Sequence, residues 1–255
     1  MDKNKKKGWI LNLLIVFAAA VMIYGVWNMI YLQKQYKDAK EEYQEVQKIA
    51  QMEDAKEETK EEDAAEENLP DVNLTALKKE NPDTVGWLYY PVLGINYPIM
   101  QDKDNTYYIK HTFSGEKNAV GSIFLDALAS KEFTDDNTFF FGHNMRDGSM
   151  FGSLTKIREE GTVKDNPYFF VATADGWKKY QIFSYHEADA DKKDMAFQIE
   201  FSNKQTFEKF INYVKEISEE KLDVEVKDTD KIVTLATCTT NAAVRLVVHG
   251  VLVER

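Results

Sequence analysis

The sequence is poor in the residue types that cross-link a chain or hold cofactors. Its 255 residues include one cysteine, Cys238, so the chain cannot form a disulfide with itself. None of its four histidines has the spacing of a metal site such as H-E-x-x-H; they are His111, His143, His186 and His249. The sequence also contains no glycine-rich phosphate loop. We therefore expect a protein that needs no metal ion and no nucleotide cofactor.

The 32 lysines and arginines are outnumbered by 43 acidic residues. The net charge of −11 argues against nucleic acid as a partner. Hydrophobic residues make up 44% of the chain and aromatic residues 13%, which is enough at this length for a sizeable buried core. The composition indicates one globular domain with appendages.

The first organised feature is a long uncharged segment. Trp9 to Ile30 is 22 residues without a charge, and a helix of that length, at about 1.5 Å per residue, spans the hydrocarbon core of a bilayer. Tryptophan and tyrosine near its ends suit the membrane interfaces. A cleaved signal peptide is the alternative, since Ala18 to Ala20 resembles a cleavage site, but the apolar run continues past it. We predict a retained transmembrane anchor over residues 9–32, after a cytoplasmic tail of residues 1–8.

Lysines lie on both sides of this anchor and bear on its orientation. Four crowd the N-terminal flank and four follow at wider spacing; they are Lys3, Lys5, Lys6 and Lys7, then Lys34, Lys37, Lys40 and Lys48. The denser cluster nearer the membrane favours a cytoplasmic N-terminus. We predict a single-pass protein of the cell membrane whose C-terminal part lies outside the cell.

A stalk is predicted over residues 33–68. Apolar residues there follow alternating spacings of four and three, which is typical of one face of a helix; they are Leu32, Tyr36, Ala39, Tyr43, Val46 and Ala50. Beyond Met52 the run "EDAKEETKEEDAAEENLP" is almost entirely charge and alanine. We interpret the segment as a solvated helical spacer that holds the domain off the membrane, with a dimerising coiled coil as the alternative. Residues before Leu69 should then be dispensable in solution.

Short strands dominate the remaining residues, 69–255. Alternating and β-branched runs bounded by turn residues predict nine of them, in "VGWLYY", "INYPIM", "GSIFLD", "NTFFFGH", "YFFVAT", "KKYQIFSYHE", "MAFQIE", "IVTLATC" and "RLVVHGVLVE". Helices are predicted in "NLTALKKENPD" and in "NKQTFEKFINYVKEIS", which has an apolar face and should pack on the outside of the sheet. The pattern favours a mainly β fold, a closed antiparallel barrel with a few short helices.

The lone cysteine ends one predicted strand, and Arg245 opens the next. Antiparallel pairing of these strands would bring the Cys238 thiol and the Arg245 guanidinium to the same rim of a sheet. The thiol is either buried filler or a nucleophile, and a nucleophilic cysteine needs a base or an imidazolium beside it. Among the histidines His143 is the best candidate, because it follows an aromatic strand on a glycine-flanked turn.

Other side chains compete for these roles and fit them less well. His249 lies inside an apolar strand, which is typical of a core histidine, whereas His111 and His186 have polar or loop surroundings. Arg146 is three residues from His143, but its place before Asp147 and Gly148 predicts a solvated turn contact.

The segment "TLATC", followed by an arginine and an apolar C-terminal strand, resembles the active-site signature of sortases, the membrane-anchored cysteine transpeptidases of Gram-positive bacteria. The segments "LKKENPDTVGWLYY", "YPIMQDKDNTYYIKHTFSGEKNAVGSIFLD" and "FFGHNMRDGSMF" resemble class B sortases in particular, in the same order. The predicted helix Asn203–Ser218 is similar to one that class B enzymes insert before the cysteine strand.

The resemblance implies an eight-stranded β-barrel and a catalytic site of Cys238, His143 and Arg245, with no cofactor. It implies cleavage after a threonine in the C-terminal sorting signal of surface proteins, through a thioester. Transfer would then be to an amine of a peptidoglycan precursor. Two departures bear on substrate contacts. Ala236 replaces a residue that often carries a hydroxyl in class B enzymes, and the loop between Cys238 and Arg245 is short.

Three other functions can be weighed against this one. A papain-like protease would place its cysteine early, with the histidine downstream, and would carry a C-G-x-C-W pattern. An L,D-transpeptidase also uses cysteine and histidine on a β-rich scaffold, but its S-H-G-x-x-x-C-like stretch is missing. A non-enzymatic, membrane-anchored binding domain explains the span and spacer but leaves the pairing of Cys238 with Arg245 unexplained.

Overall fold

The computed structural model describes residues 3–50, 69–190, 194–238 and 244–254. The first element is a single helix, α1 (Lys3–Ile49). Among the described residues it is the one helix long and apolar enough to cross a membrane, and Trp9 and the large apolar side chains from Leu11 to Leu32 are exposed. The uncharged run in which the span is predicted is therefore part of one continuous helix.

Eight strands follow and close into a barrel. They are β1 (Thr84–Tyr90), β2 (Ile95–Met100), β3 (Ile123–Leu125), β4 (Asn137–Gly142), β5 (Tyr168–Thr173), β6 (Gly176–Asp189), β7 (Ile232–Cys238) and β8 (Val244–Glu254). Their order around the barrel is β1-β2-β3-β4-β7-β8-β6-β5. The expected closed eight-stranded barrel is confirmed, with one correction. The barrel is mostly antiparallel, but β2 pairs with β3 and β4 pairs with β7 in parallel.

The described residues form three further helices: α2 (Leu74–Glu80), which precedes β1, and α3 (Thr162–Asp165) and α4 (Lys204–Glu216), which lie between strands. The start of α4 is fixed by a capping box, in which Asn203 accepts from the Thr206 N–H while the Thr206 hydroxyl faces the Asn203 N–H. Short 3₁₀ turns cover Pro91–Leu93, Ser153–Arg158 and Met195–Phe197. The strand expected in "MAFQIE" is wrong. Its first three residues form the last of these turns, which Asp194 caps through the Ala196 N–H.

The apolar pattern of β7 explains how α4 packs. Val233 and Leu235 face the main core, while the alternate positions Ile232 and Ala236 join the cluster under α4. The apolar face of α4 supplies the rest of that cluster: Phe207, Phe210, Ile211 and Val214. Both faces of β7 are thus covered, and the expected position of α4 on the outside of the barrel is confirmed.

The second half of α1 packs against the barrel, contrary to the expectation of a solvated spacer. We call residues 35–50 the docked segment. Its apolar stripe is buried in the main core: Ala39, Tyr43, Val46 and Ala50 are each at most 5% exposed. Polar side chains reinforce the contact, since Glu42 accepts from the Ser114 N–H at 2.7 Å and Gln47 donates to the Asn96 carbonyl at 3.0 Å. The apolar stripe of the docked segment was predicted correctly from the sequence. It packs against the barrel, however, and not against solvent or a second helix.

The far end of the docked segment lies beside the start of the domain. The Asn73 N–H donates to the Ala50 carbonyl at 3.1 Å. The charged run of residues 51–68 lies outside the described residues, but the residues on either side of it are in direct contact.

Candidate active site

Three neighbouring strands bring the predicted site residues side by side. Cys238 is the last residue of β7 and pairs with Arg245 on β8, so the two positions lie on the same face of the sheet. On the other side of β7, Gly142 of β4 pairs in parallel with Thr237. His143 follows Gly142 as Cys238 follows Thr237, which places the three backbone positions in one row across β4, β7 and β8.

The row lies on the barrel face that α4 covers further along the strands. Phe141 and Ala236 pair across β4 and β7, and both belong to the cluster under α4. Two residues further along the chain from each of these lie Cys238, the last residue of β7, and His143, which directly follows β4. The site thus lies just beyond the part of the barrel that α4 covers. Residues 239–243, the short loop noted in the sequence, lie outside the described residues.

Arg245 is half-buried and directed over an aromatic ring. Its guanidinium carbon lies 5.7 Å from the centroid of Phe141, a distance at which a cation is attracted to the ring face. This contact with the ring restricts the position of the guanidinium. The side chain also lines a cavity of about 250 Å³, together with Asn105, Ile109, Phe124, Phe141, Ala190 and Phe197.

The ring of His143 is held by a backbone carbonyl. Its Nε2 lies 2.7 Å from the carbonyl oxygen of Ile109. A carbonyl only accepts, so the proton of the neutral ring is on Nε2, and Nδ1 is the basic nitrogen. The main-chain carbonyl of His143 in turn accepts from the Phe151 N–H at 3.0 Å, which fixes the turn that carries the ring.

The other three histidines lie away from this row. His249 is fully buried, and its Nδ1 donates to the Thr234 hydroxyl at 2.8 Å, as expected of a core histidine. His186 is also buried, in β6 beside His249, so its expected polar or loop surroundings are wrong. His111 stacks on Tyr107 with ring centroids 4.0 Å apart. Arg146 is exposed on a turn, as expected.

Two residues of the site were not assigned from the sequence. Ile109 acts through its main-chain oxygen, which leaves no trace in the side-chain pattern. Asn105 lines the cavity and is fixed between two partners, donating to Asp126 Oδ2 and accepting from the Ala127 N–H, each at 2.8 Å. A possible sequence signal for Asn105 was its place in the class B-like segment "DNTYYIKH".

Comparison with known proteins agrees with this geometry. The sortase domain family matches residues 88–253. The chain belongs to the sortase family. Sortase B of Listeria monocytogenes is 38% identical over 185 residues, which cover 71% of this chain and 74% of that protein. Sortase B of Staphylococcus aureus is 31% identical over 163 residues, covering 64% of this chain and 66% of that protein.

A solved structure of the same kind extends the similarity to the fold. The crystal structure of sortase B from B. anthracis in complex with AAEK1 superposes with a TM-score of 0.74 at 32% identity, covering 88% of this chain and 100% of that one. This sortase is accordingly of class B, a cysteine transpeptidase. Its substrates are proteins that carry sorting signals, and it is associated with the cell surface.

Proposed function

We propose that Cys238, His143 and Arg245 are the catalytic residues of this sortase. The observation that carries the proposal is the row of three backbone positions across β4, β7 and β8. Each position offers one of the groups that acyl transfer requires, namely a nucleophile, a proton carrier and an oxyanion donor.

In the first half-reaction, the Cys238 thiolate attacks the carbonyl carbon of the threonine in the sorting signal. The carbon–nitrogen bond to the following residue breaks, and His143 as imidazolium gives a proton to the leaving amine. The products are a thioester on Cys238 and a free C-terminal peptide. The Nε2 bond to Ile109 supports this role, because it leaves Nδ1 as the nitrogen that exchanges protons.

In the second half-reaction, an amine of a peptidoglycan precursor attacks the thioester carbonyl. His143 accepts the proton of that amine, the carbon–sulfur bond breaks, and the thiolate of Cys238 is restored. The surface protein is then joined to the precursor through a new amide bond. No oxidant, reductant or metal is needed for either half.

Arg245 stabilises the negative charge that forms on the substrate oxygen in both halves. The guanidinium is half-buried and lies over the ring of Phe141, which supports a position that is set before substrate binds. A preorganised donor of this kind stabilises the transition state more than the ground state. The adjoining cavity, lined by aromatic rings and Ile109, suits an extended segment of a few residues of the sorting signal.

We further propose a single-pass topology with the N-terminus in the cytoplasm and the barrel outside the cell. The exposed apolar half of α1 and the dense lysines before it support this arrangement. Surface proteins and wall precursors would meet the enzyme on that side of the membrane.

The test is cleavage of a sorting-peptide library by the full chain in lipid nanodiscs, with candidate acceptor amines added. Cleavage after a threonine, a mass shift on Cys238 and an amide-linked product would support the proposal. Cys238→Ala is the matched control and should abolish all three while the melting temperature stays within a few degrees, because one sulfur is lost. Cleavage that persists in this variant would refute the cysteine mechanism.

A further inference from the structure

The docked segment of α1 reaches the backbone around the active site through Tyr43. The Tyr43 hydroxyl donates to the Gly121 carbonyl at 2.8 Å and lies 2.9 Å from Ser122 Oγ. The side chain is 5% exposed, and its burial raises the pKa of Tyr43. The hydroxyl therefore stays protonated at any physiological pH and is a permanent donor.

Gly121 and Ser122 brace the segment from Tyr108 to His111. The Ser122 N–H donates to the Tyr108 carbonyl at 2.9 Å, and the Ser122 hydroxyl donates to the His111 carbonyl at 2.9 Å. Ile109 lies between these two fixed carbonyls. A Cβ atom added to Gly121 would come within 2.6 Å of the Ile109 oxygen, so the Gly121 backbone lies directly against that oxygen.

The Ile109 carbonyl oxygen, which lies against this backbone, is also the hydrogen-bond partner of His143. The Ile109 carbonyl accepts from His143 Nε2 at 2.7 Å. A short series of contacts thus runs from Tyr43 on the anchoring helix, through Gly121 and Ser122, to Ile109 and the ring of His143. None of these contacts involves an exposed, freely rotating side chain.

We propose that Tyr43 is a positioning residue for His143, acting by fixing the Ile109 carbonyl that holds the ring in its Nε2–H form. This inference rests on the proposed catalytic role of His143. The helix that anchors the protein would then also support part of the catalytic machinery. Deleting it would impair proton transfer as well as localisation.

The physical argument is one of alignment. A hydrogen bond from one ring nitrogen of a histidine sets which tautomer is present and how the ring is oriented. Catalytic groups must be held within about 0.5 Å of productive geometry, and small misplacements lower the rate steeply. Release of the Tyr43 bond frees Gly121 to shift, and the Ile109 oxygen shifts with it.

The test is the variant Tyr43→Phe in the full chain, reconstituted in lipid nanodiscs. The phenyl ring keeps the edge-on contact with Tyr97, whose centroid is 5.3 Å away, and only the hydroxyl is lost. We expect kcat for sorting-peptide cleavage to fall about tenfold, with KM near that of the wild type, because no residue lining the substrate cavity is changed.

The matched control is Gln47→Ala. Gln47 lies one turn along the same helix and donates to the Asn96 carbonyl at 3.0 Å, which is not part of the series leading to Ile109. Gln47→Ala weakens the contact between the docked segment and the barrel but leaves the hydrogen bonds of Gly121 and Ser122 intact. We therefore expect kcat to stay at the wild-type value. A second variant, Ser122→Ala, removes the bond to the His111 carbonyl and should lower kcat in the same way as Tyr43→Phe.

A second readout is independent of turnover. Nitrogen-15 spectra of the His143 ring, assigned by loss of signal in His143→Gln, should show protonated Nε2 in the wild type and a tautomer mixture in Tyr43→Phe. If the wild-type protein fails to cleave peptides in a Cys238-dependent way, the proposed function is refuted while the ring spectra still test Tyr43. Unchanged ring spectra and kcat in Tyr43→Phe would overturn the inference. An equal loss of kcat in Gln47→Ala would also overturn it, because any weakening of the docking of α1 would then be enough to lower kcat.

Discussion

At the scale of single residues, Arg245 is distinguished from the other arginines by what surrounds it. Its guanidinium lies over the ring of Phe141 and its backbone pairs with Cys238, whereas Arg146 is exposed on a turn. We expect Arg245→Lys to lower kcat/KM by about 10²–10³, because a lysine keeps the charge but loses the planar donor geometry. Arg146→Lys should stay within a factor of two or so of the wild type.

Steady-state cleavage of one sorting peptide by both variants checks this prediction, with melting curves to show that each is folded. Equal tolerance of lysine at the two positions would mean that backbone amides alone hold the oxyanion. Arg245 would then have a structural role only.

Substitution of His143 should lower activity, whereas substitution of His249 should lower stability. His143→Ala should lower turnover by orders of magnitude with little change in melting temperature, because the ring is half-buried at the rim. His249→Ala removes a fully buried ring and the donor to Thr234, and should lower the free energy of unfolding by about 2–4 kcal/mol. The check is to measure turnover and melting temperature for both variants. An inactive His249→Ala enzyme with an unchanged melting temperature would contradict these roles.

The three proposed catalytic residues were predictable because each is a rare side chain at the end of a strongly patterned strand. Ile109 was not, since its contribution is a main-chain oxygen that any residue possesses. His186 was misjudged for a related reason. Ser184 and Glu187 near it in the sequence are polar, but residues 182–186 of β6 are all buried, because the main core covers one face of this strand and the cluster under α4 covers the other.

At the scale of elements, the docked segment should be needed for a stable fold. Its removal would expose the barrel surface under Tyr43 and Val46, and burial of a large apolar side chain is worth about 1.5–3 kcal/mol. We expect a fragment of residues 69–255 to melt about 10 °C or more below a fragment of residues 33–255. Thermal unfolding of the two fragments, followed by circular dichroism, checks this. Equal melting temperatures would restore the interpretation of a dispensable stalk.

The stripe of α1 could be read from the sequence, but its partner could not. Apolar residues at spacings of four and three give a helix one apolar face, and that face fits a second helix or the side of a barrel equally well. The helix sequence therefore predicts which face is buried but not what covers it. The failed strand in "MAFQIE" has a similar origin. Its alternating pattern is real, but Asp194 caps the Ala196 N–H locally and diverts the backbone into a turn.

At the scale of the whole molecule, two buried histidines should make stability depend on pH. The rings of His186 and His249 lie 5.3 Å apart, and burial lowers the pKa of His186 to about 4 and that of His249 well below its ordinary value. Below about pH 6.5 the unfolded chain binds protons that the folded chain does not, so stability is full above that pH and is lost as the pH falls towards 4.

For His186 alone the loss should reach about 2 kcal/mol at pH 5. Urea unfolding of the 33–255 fragment at pH 7.5 and pH 5 measures it. His186→Phe should remove the His186 share of this loss, because an apolar ring in that site has no proton to bind, while the share of His249 remains. A wild-type free energy that does not change between the two pH values would show that the pair is not responsible.

The closed barrel itself was predictable from many short, evenly spaced strands. The two parallel pairings were not, because they depend on which distant strands meet. β4 and β7 are separated by about 90 residues of chain that include α4, and nothing in either strand distinguishes a parallel neighbour from an antiparallel one.

The unbroken helix α1 also fixes the reach of the enzyme. Only two residues separate Leu32, at the end of the apolar run, from Gln35, whose side chain accepts from the Ala119 N–H at 3.0 Å. With the span proposed above, the barrel would work at one height, close against the lipid headgroups, and any amine or peptide bond outside that narrow layer would have to come to it. Seven extra helical residues after Leu32 would lift the site by about 10 Å, beyond a short lipid-linked amine but still accessible to a dissolved one.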